Sequence, residues 1–279
     1  MLPKTKSKPK HTLSDLTALV YGPSKIGKST WCSKADDALF LATEPGLNAL
    51  EVFQTPITCW DDLLQACAEI AEGKHEFKTI VVDTVDNAYK MCSDYVCKKF
   101  KIEHESDLGY GKGYALINNE FQRVINKLAF LPYGLILISH SQERDIETRT
   151  GKHTRIVPTL PEKARKLVTG LVDLILFCDL DMTNPQDSGF GRTKGAPAGR
   201  EPGMASVKTG EDGKPVWQRV MRTKPSPNYD AGDRTGRLPE VIPLDFSSFM
   251  KAFNNTAAGA AASAARPKPE PTASAVAKP

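Results

Sequence analysis

Short apolar runs separated by amphipathic segments set the pattern of the chain from residue 17 to about residue 181. A continuous apolar run bounded by turn residues is typical of a buried strand, whereas apolar residues three or four apart are typical of a helix. Their alternation predicts an α/β fold with a mostly parallel sheet. The predicted strands are 16–21, 38–43, 56–58, 79–83, 134–139 and 171–178. The predicted helices are 29–32, 60–71, 85–99, a helix that follows the glycine-rich segment 108–114 and runs to about residue 131, and 246–253. The first of these helices is very short, and Asp245 is the predicted cap of the last.

The chain outside this core has a different composition. Residues 187–203 are rich in Gly, Pro, Arg and Lys and predict a mobile loop, and residues 205–222 resemble a β-hairpin with its turn at 211–214. Residues 1–12 form a basic arm, and residues 255–279 are dominated by Ala and Pro. Because neither end carries enough apolar side chains to bury a core, we expect both to be disordered around one domain at 13–254.

Composition places the chain among ordinary soluble proteins. It has 279 residues, 40% hydrophobic and 25% charged, and a formal net charge of +4. That mild positive charge permits a nucleic acid partner without arguing for one. The six cysteines form no C-x-x-C pair or zinc spacing, so we expect reduced thiols. We also expect no membrane segment and no signal peptide, hence a cytoplasmic protein.

One glycine-rich segment carries the strongest chemical signal. It fits the pattern G-x-x-x-x-G-K-[ST], the phosphate-binding P-loop, and it stands between a predicted strand and a predicted helix. In such a loop the backbone N–H groups surround phosphate, the lysine adds positive charge and the hydroxyl contacts Mg²⁺. We therefore predict ATP and Mg²⁺ as ligands. The predicted nucleotide-binding residues are Gly22, Pro23, Ser24, Lys25, Ile26, Gly27, Lys28, Ser29 and Thr30.

Two carboxylates end predicted strands downstream of this loop. Asp83 follows four apolar residues, as a Walker B carboxylate does, and would hold Mg²⁺ opposite Ser29. Glu44 closes the second strand, in the segment Thr-Glu-Pro-Gly-Leu. Because carboxyl ends of parallel strands gather at one edge of a sheet, Glu44 would face the γ-phosphate and act as general base. A turn or capping role is the simpler interpretation of each.

Three further segments suggest ligand contacts. His140 follows the strand 134–139 and would contact the γ-phosphate, although a core histidine or a contact from Gln142 fits equally. The segment after it, read as a loop, carries Arg144, Arg149, Lys152 and Arg155, which would bind DNA phosphates unless it is a solvated mixed-charge loop. Lys112 stands between two tyrosines, a pattern suited either to stacking single-stranded bases or to a tight turn.

The order of these motifs resembles the RecA-like P-loop ATPases of phages, several of which act in single-strand annealing or recombination. The resemblance covers about residues 17–253 and rests on the P-loop, Glu44, Asp83, the segment 109–114 and Ser139-His140. It implies a RecA-like ATPase domain that binds single-stranded DNA, works as a homo-oligomer in the cytoplasm of the host, and uses Lys28 and Glu44 in hydrolysis.

The resemblance also implies a basic residue that reaches the γ-phosphate of a neighbouring subunit. Arg222, Lys224 and Arg234 are candidates, and Gly232 replaces the lysine that the family often has, which favours Arg234. The tail could tether a single-strand-binding protein. A hexameric helicase or packaging-type motor, and a P-loop small-molecule kinase, are the alternative functions at this stage.

Overall fold

A single sheet with helices on both faces organises the protein. The computed structural model describes residues 2, 10, 12–148, 151–181 and 217–255. The order of the main sheet is β10-β8-β7-β1-β5-β4-β2-β3, with β6 paired to β5 and β9 to β7. The strands are β1 Thr17–Gly22, β2 Ala38–Ala42, β3 Phe53–Pro56, β4 Thr79–Asp83, β5 Gly134–Thr148, β6 Gly151–Pro158, β7 Leu174–Asp181, β8 Gln218–Arg222, β9 Gly232–Asp233 and β10 Val241–Pro243.

The strands β3, β2, β4, β5, β1 and β7, in their order across the sheet, are parallel to one another. At the end of the sheet β8 runs antiparallel to β7, and β10 runs antiparallel to β8. This arrangement confirms the predicted α/β class and its mostly parallel sheet. A parallel sheet must bury both faces, which explains the continuous apolar runs. The helices that cover it are α1 Lys28–Cys32, α2 Trp60–Glu72, α3 Val85–Phe100, α4 Lys112–Ala129, α5 Glu162–Leu171 and α6 Phe246–Asn254.

Alternate residues of the central strands enter two separate cores. In β1, Leu19 packs into the core formed with α2 to α5, whereas Ala18 and Val20 pack into the core formed with α1 and α6. Trp31 of α1 packs edge-on against Phe249 of α6, with ring centroids 5.0 Å apart. The two helix layers hold the central strands rigidly and fix the edge at which their carboxyl ends meet.

Several local predictions are confirmed. Asp245 caps α6 by accepting a hydrogen bond from the Ser248 N–H at 2.8 Å. The helices α2 and α3 lie where the apolar spacing places them. At the start of α2 the sequence predicts a capping box of Thr58 with Asp61, and the structure corrects the carboxylate to Asp62, which accepts from the Thr58 N–H and the Cys59 N–H.

Several predictions of secondary structure are corrected, among them the strand predicted at 56–58, which is β3 at Phe53–Pro56. The segment after His140, interpreted as a loop, is a two-stranded hairpin of β5 and β6 that pairs from Ser141 with Pro158 to Thr148 with Gly151. The helix α5 was missed, and the strand predicted at 171–178 begins only at Leu174 because Leu171 ends that helix. The second arm of the hairpin predicted at 205–222 is the strand β8, and its two neighbours in the sheet are β7 and β10.

The remaining predictions of organisation fall largely outside the described residues. The mobile loop at 187–203, the turn and first arm of the hairpin at 205–222, and the tail beyond residue 255 lie there, as does most of the basic arm. The boundaries at 13–254 therefore stay predictions.

Candidate nucleotide-binding site

The carboxyl ends of four parallel strands form an open cleft of about 470 Å³. The register aligns Gly22 of β1 with His140 of β5, and Ala42 of β2 with Asp83 of β4. The predicted phosphate loop, both predicted carboxylates and the predicted histidine thus meet at one edge. The lining includes Ser24, Lys25, Gly27, Lys28, Ser29, Thr30, Glu44, Asp83 and His140.

The two glycines of the P-loop have different structural roles. Gly22 has φ +154, and a Cβ there would lie 2.3 Å from the carbonyl oxygen of Cys178 in β7. Gly22 is therefore required by the close approach of β1 to β7 as well as by the loop. Gly27 has φ +114 immediately before α1, a conformation that L side chains rarely adopt. The loop geometry therefore depends on both positions being glycine.

The Lys28 side chain closes the loop on itself. Its ammonium is buried and donates to the carbonyl oxygens of Gly22 and Pro23, each at 2.8 Å. Burial lowers the pKa of Lys28, and the nearby Asp83 and Asp86 oppose that shift. Because the charge is held in a water-poor position at the phosphate loop, its attraction for an anion is stronger than that of an exposed lysine.

The predicted magnesium ligands face each other across the loop. The Ser29 hydroxyl donates to Asp83 Oδ2 at 2.7 Å, and Asp83 is almost fully buried. Burial raises the pKa of Asp83, and the hydrogen bond from Ser29 opposes that shift. A hydroxyl and a carboxylate are hard oxygen ligands, and with the phosphates of a nucleotide they supply what Mg²⁺ needs. The residues present therefore fit this ion.

Glu44 and His140 form a polar contact above the phosphate loop. Glu44 Oε1 lies 3.6 Å from His140 Nε2, and His140 Nδ1 lies 3.2 Å from the Ser24 hydroxyl. Asn87 Nδ2 donates to Glu44 Oε2 at 3.2 Å. The Glu44 carboxylate is thus oriented by an amide on one oxygen and faces an imidazole with the other, which suits a group that takes a proton from water.

Two buried side chains hold this contact in place. Asp86 accepts from the Ser139 hydroxyl and from the His140 N–H, each at 2.8 Å. The Thr43 hydroxyl donates to the Thr84 carbonyl at 2.9 Å and accepts from the Thr84 N–H at 2.8 Å. These bonds tie the ends of β2, β4 and β5 together, so the position of Glu44 relative to the P-loop is set by the sheet.

Sequence reasoning missed two residues of the site. Asn87 is the third residue of α3, within its first turn, and had no motif to mark it. Arg219 of β8 donates from Nη1 to the Ile26 carbonyl of the P-loop at 3.3 Å, although it is far away in sequence. The packing of α3 brings Asn87 to Glu44, and the pairing of β8 brings Arg219 to the loop.

The residues predicted to bind DNA lie in different environments. Arg144 and Arg155 are directly paired across the β5–β6 hairpin. Lys152 forms an ion pair with Glu147 at 2.6 Å. Lys112 begins α4 beside the fully exposed Tyr110, and Arg149 lies outside the described residues. Only Arg144 and Arg155 are thus brought together.

The candidates for a basic residue acting on a neighbouring subunit are held within their own chain. Arg234 donates to the carbonyl oxygens of Gly170 and Leu171 at the end of α5, at the opposite edge of the sheet from the P-loop. Arg222 pairs with Asp179 at 2.9 Å, and Lys224 with Asp233 at 3.2 Å. That one of these residues reaches the nucleotide of a neighbouring subunit stays a prediction. For Arg234 this would require its hydrogen bonds to the Gly170 and Leu171 carbonyl oxygens to break.

Other features of the described residues do not compete with this site. A larger cavity of about 660 Å³ lies beside the edge strand β3 and α2. Its lining contains no glycine-rich loop, and its Lys74 is exposed and paired with Glu72 at 3.1 Å. No cluster of three or more metal-ligating side chains occurs among the described residues. Across that same part of the chain, no helix combines the length and hydropathy needed to span a bilayer.

The phosphate loop, the Ser29–Asp83 pair and the parallel sheet define the fold of the P-loop NTPases. The family described as AAA domain matches residues 14–235, so the chain belongs to that family of P-loop ATPases. The SPbeta prophage-derived uncharacterized protein YorG of Bacillus subtilis strain 168 is 31% identical over 164 residues. That match covers 57% of this chain and 49% of YorG, so the chain spans about half the length of this curated relative.

Replacement of Gly22 by alanine tests the packing of the P-loop against β7. We expect Gly22→Ala to lower the melting temperature by about 5–10 °C, because the new Cβ would overlap the Cys178 carbonyl. The matched control is Gly170→Ala in α5, where a Cβ has no neighbour within 4 Å. That variant should melt at or above the wild-type temperature, since alanine favours the helix. Equal melting of both variants would contradict the stated role of Gly22.

Proposed function

We propose that this protein hydrolyses ATP with Mg²⁺ while bound to single-stranded DNA and thereby promotes annealing or homologous recombination. One observation carries the proposal. The strand β5 begins in the sheet core, presents His140 to Glu44 at the phosphate loop, and continues without interruption into the hairpin that holds Arg144. A single rigid element thus joins the nucleotide site to a basic surface.

The chemistry follows from the side chains of the cleft. Backbone N–H groups of the P-loop and the Lys28 ammonium neutralise the phosphates. Glu44 accepts a proton from the attacking water, and Asn87 keeps its carboxylate oriented. Ser29 and Asp83 would hold Mg²⁺, which supplies charge neutralisation at the β- and γ-phosphates.

Coupling to DNA goes through His140. Its N–H is fixed by Asp86, whereas its ring reaches both Ser24 of the loop and Glu44. A change at the γ-phosphate alters the ring contacts of His140 and is transmitted along β5 to the hairpin. The two strands of the hairpin are already paired, so the nucleotide acts by shifting the hairpin as a unit. A loop at this position would instead pass from disorder to order.

The resemblance to RecA-like phage ATPases supports the choice of single-stranded DNA and of a homo-oligomer. The prophage origin of YorG agrees with a phage setting. We propose that the assembly brings a basic residue of one subunit to the nucleotide of the next, and that the tail is available to a single-strand-binding protein.

The proposal is tested by the rate of ATP hydrolysis with and without a poly(dT) oligonucleotide. We expect the steady-state rate to rise about tenfold or more on addition of DNA, because DNA on the hairpin repositions His140 at the phosphate site. Glu44→Gln measured under the same conditions gives the background. A rate that is unchanged by DNA, with phosphate transferred to a small molecule, would favour a kinase, and strand translocation would favour a motor.

A further inference from the structure

Two large apolar side chains are exposed at the carboxyl edge of the sheet. Leu180, near the end of β7, is 49% exposed, and Trp217, which immediately precedes β8, is 58% exposed. Leu180 lies directly opposite Arg219 in the antiparallel pair of β7 and β8, so these two side chains point to the same face. Trp217 comes two residues before Arg219, and the two-residue period of an extended chain places it on that face as well. We call Leu180, Trp217 and Arg219 the β7–β8 patch.

The β7–β8 patch adjoins the phosphate loop. Cys178 and Met221, which pair two residues further into the sheet, both pack into the core formed with α1 and α6, so the patch lies on the face that α1 covers. Arg219 Nη1 donates to the Ile26 carbonyl at 3.3 Å and lies 3.1 Å from the position that a Cβ on Gly27 would take. The Arg219 guanidinium thus joins the exposed apolar side chains to the P-loop.

The residues around the phosphate site set the direction of a bound nucleotide. The side chains that would face the γ-phosphate are Asp83 of β4, Glu44 after β2, and His140 of β5. In the sheet order these strands lie on one side of β1, whereas β7 and β8 lie on the other. Because the triphosphate occupies the loop between β1 and α1, its γ end and its nucleoside leave the loop on opposite sides. The nucleoside would therefore be directed to the β7–β8 patch.

The chemistry of the patch suits a purine ring. An exposed indole offers a flat surface on which a base can stack, and the adjoining leucine adds apolar contact. Single exposed apolar side chains are ordinary, whereas adjoining ones beside a ligand site are typical of a binding surface. In the described part of the chain Arg219 pairs with no carboxylate, so its guanidinium keeps donors for the oxygen atoms of the ribose or of the α-phosphate.

We infer that the β7–β8 patch is the nucleobase subsite of the nucleotide site, in which the purine ring of the bound nucleotide stacks on the Trp217 indole and contacts Leu180. The inference rests on the proposed function, because it takes ATP as the ligand of the P-loop. It makes Trp217 a residue that favours a nucleotide over a bare phosphate chain. Neither Trp217 nor Leu180 belongs to the P-loop motif.

Comparison of ADP with inorganic pyrophosphate tests the subsite by isothermal titration calorimetry with Mg²⁺. Both ligands carry two phosphates, only ADP carries the ring, and ATP hydrolysis consumes neither. Trp217→Ala should weaken ADP binding about tenfold and leave pyrophosphate binding unchanged, because the P-loop contacts are the same. Trp217→Phe keeps a stacking ring and should bind ADP within about threefold of wild type. The matched control is Phe130→Ala, which removes another exposed aromatic ring at the end of α4 and should bind both ligands normally.

Tryptophan fluorescence locates the base directly. Of the three tryptophans, Trp31 and Trp60 are buried, so Trp217 is the one that acrylamide can reach. We expect saturating ADP to remove most of the acrylamide quenching of the wild-type protein, because the ring covers the indole. Pyrophosphate should leave the quenching unchanged, and Trp217→Phe should show little quenching with or without ADP.

The possible results separate the subsite from other roles of the patch. Equal weakening of ADP and pyrophosphate binding in Trp217→Ala, normal ADP binding in that variant, or quenching that ADP does not reduce would overturn the subsite. Protection of Trp217 that rises with protein concentration in the absence of nucleotide would assign the patch to a second copy of the chain and overturn it too.

The subsite and the proposed function can fail separately. Each of the results that overturn the subsite leaves the proposed function standing, provided that the wild-type protein binds ATP. Protection of Trp217 by ADP, together with an ATPase rate that DNA does not change, would uphold the subsite and overturn the proposed function. Failure of the wild-type protein to bind either nucleotide would overturn both.

Discussion

Replacement of Lys28 by alanine is expected to abolish ATP hydrolysis and to weaken ATP binding by a factor of about 100. The Lys28 ammonium is the buried cation at the phosphate loop, held by the carbonyl oxygens of Gly22 and Pro23. Those carbonyls would remain without its charge, so the loop would present negative oxygen atoms to the phosphates. Titration with a fluorescent ATP analogue and a steady-state phosphate assay measure the two effects.

The fold should survive this substitution. Burial lowers the pKa of Lys28, so its removal takes an unfavourably placed charge out of the folded state. The matched control is Lys34→Ala, an exposed lysine just after α1, which should bind and hydrolyse ATP normally. Turnover close to wild type in Lys28→Ala would contradict the assignment of the P-loop.

Replacement of Glu44 by glutamine is expected to lower the rate of ATP hydrolysis by a factor of about 10²–10⁴ while ATP binding is retained. The glutamine keeps the size of the side chain, and its amide oxygen can still accept from Asn87. It cannot take a proton from water. A single-turnover assay with separate measurement of nucleotide affinity distinguishes the loss of chemistry from the loss of binding.

Glu51→Gln is the control, because Glu51 is an exposed carboxylate on the same connection after β2 and outside the phosphate site. Normal hydrolysis by Glu44→Gln would place the base elsewhere. Asp86 is the next carboxylate to consider at this edge of the sheet, yet its two oxygens already accept from Ser139 and His140. Its burial also raises its pKa, which leaves it poorly suited to remain ionised without these bonds.

Contiguous sequence was sufficient to predict the candidate nucleotide site. The P-loop is a local motif, and Asp83 and Glu44 are marked by the apolar runs before them. Because parallel strands place their carboxyl ends at one edge, those marks also predicted that the side chains would lie close together. The observed distance of 2.7 Å between Ser29 and Asp83 agrees with that prediction.

The chemistry around these residues depended on contacts that no local pattern encodes. His140 could have been a core histidine until the structure placed it 3.6 Å from Glu44. Asn87 and Arg219 reach the site through α3 and β8, and their roles appear only when the helix and the strand are packed. Arg234, favoured by the resemblance, lies instead at the other end of the sheet.

The segment after His140 shows most clearly what tertiary structure decided. Its alternating charges predicted a mixed loop, since each charged residue was read singly along the chain. Pairing of β5 with β6 sorts those charges by face and sets Arg144 against Arg155. The sequence alone determined the apolar strands, the phosphate loop and its carboxylates, because these depend on neighbouring residues. The register of β5 against β6 decided which charged side chains share a face, because strand pairing depends on residues that are distant along the chain.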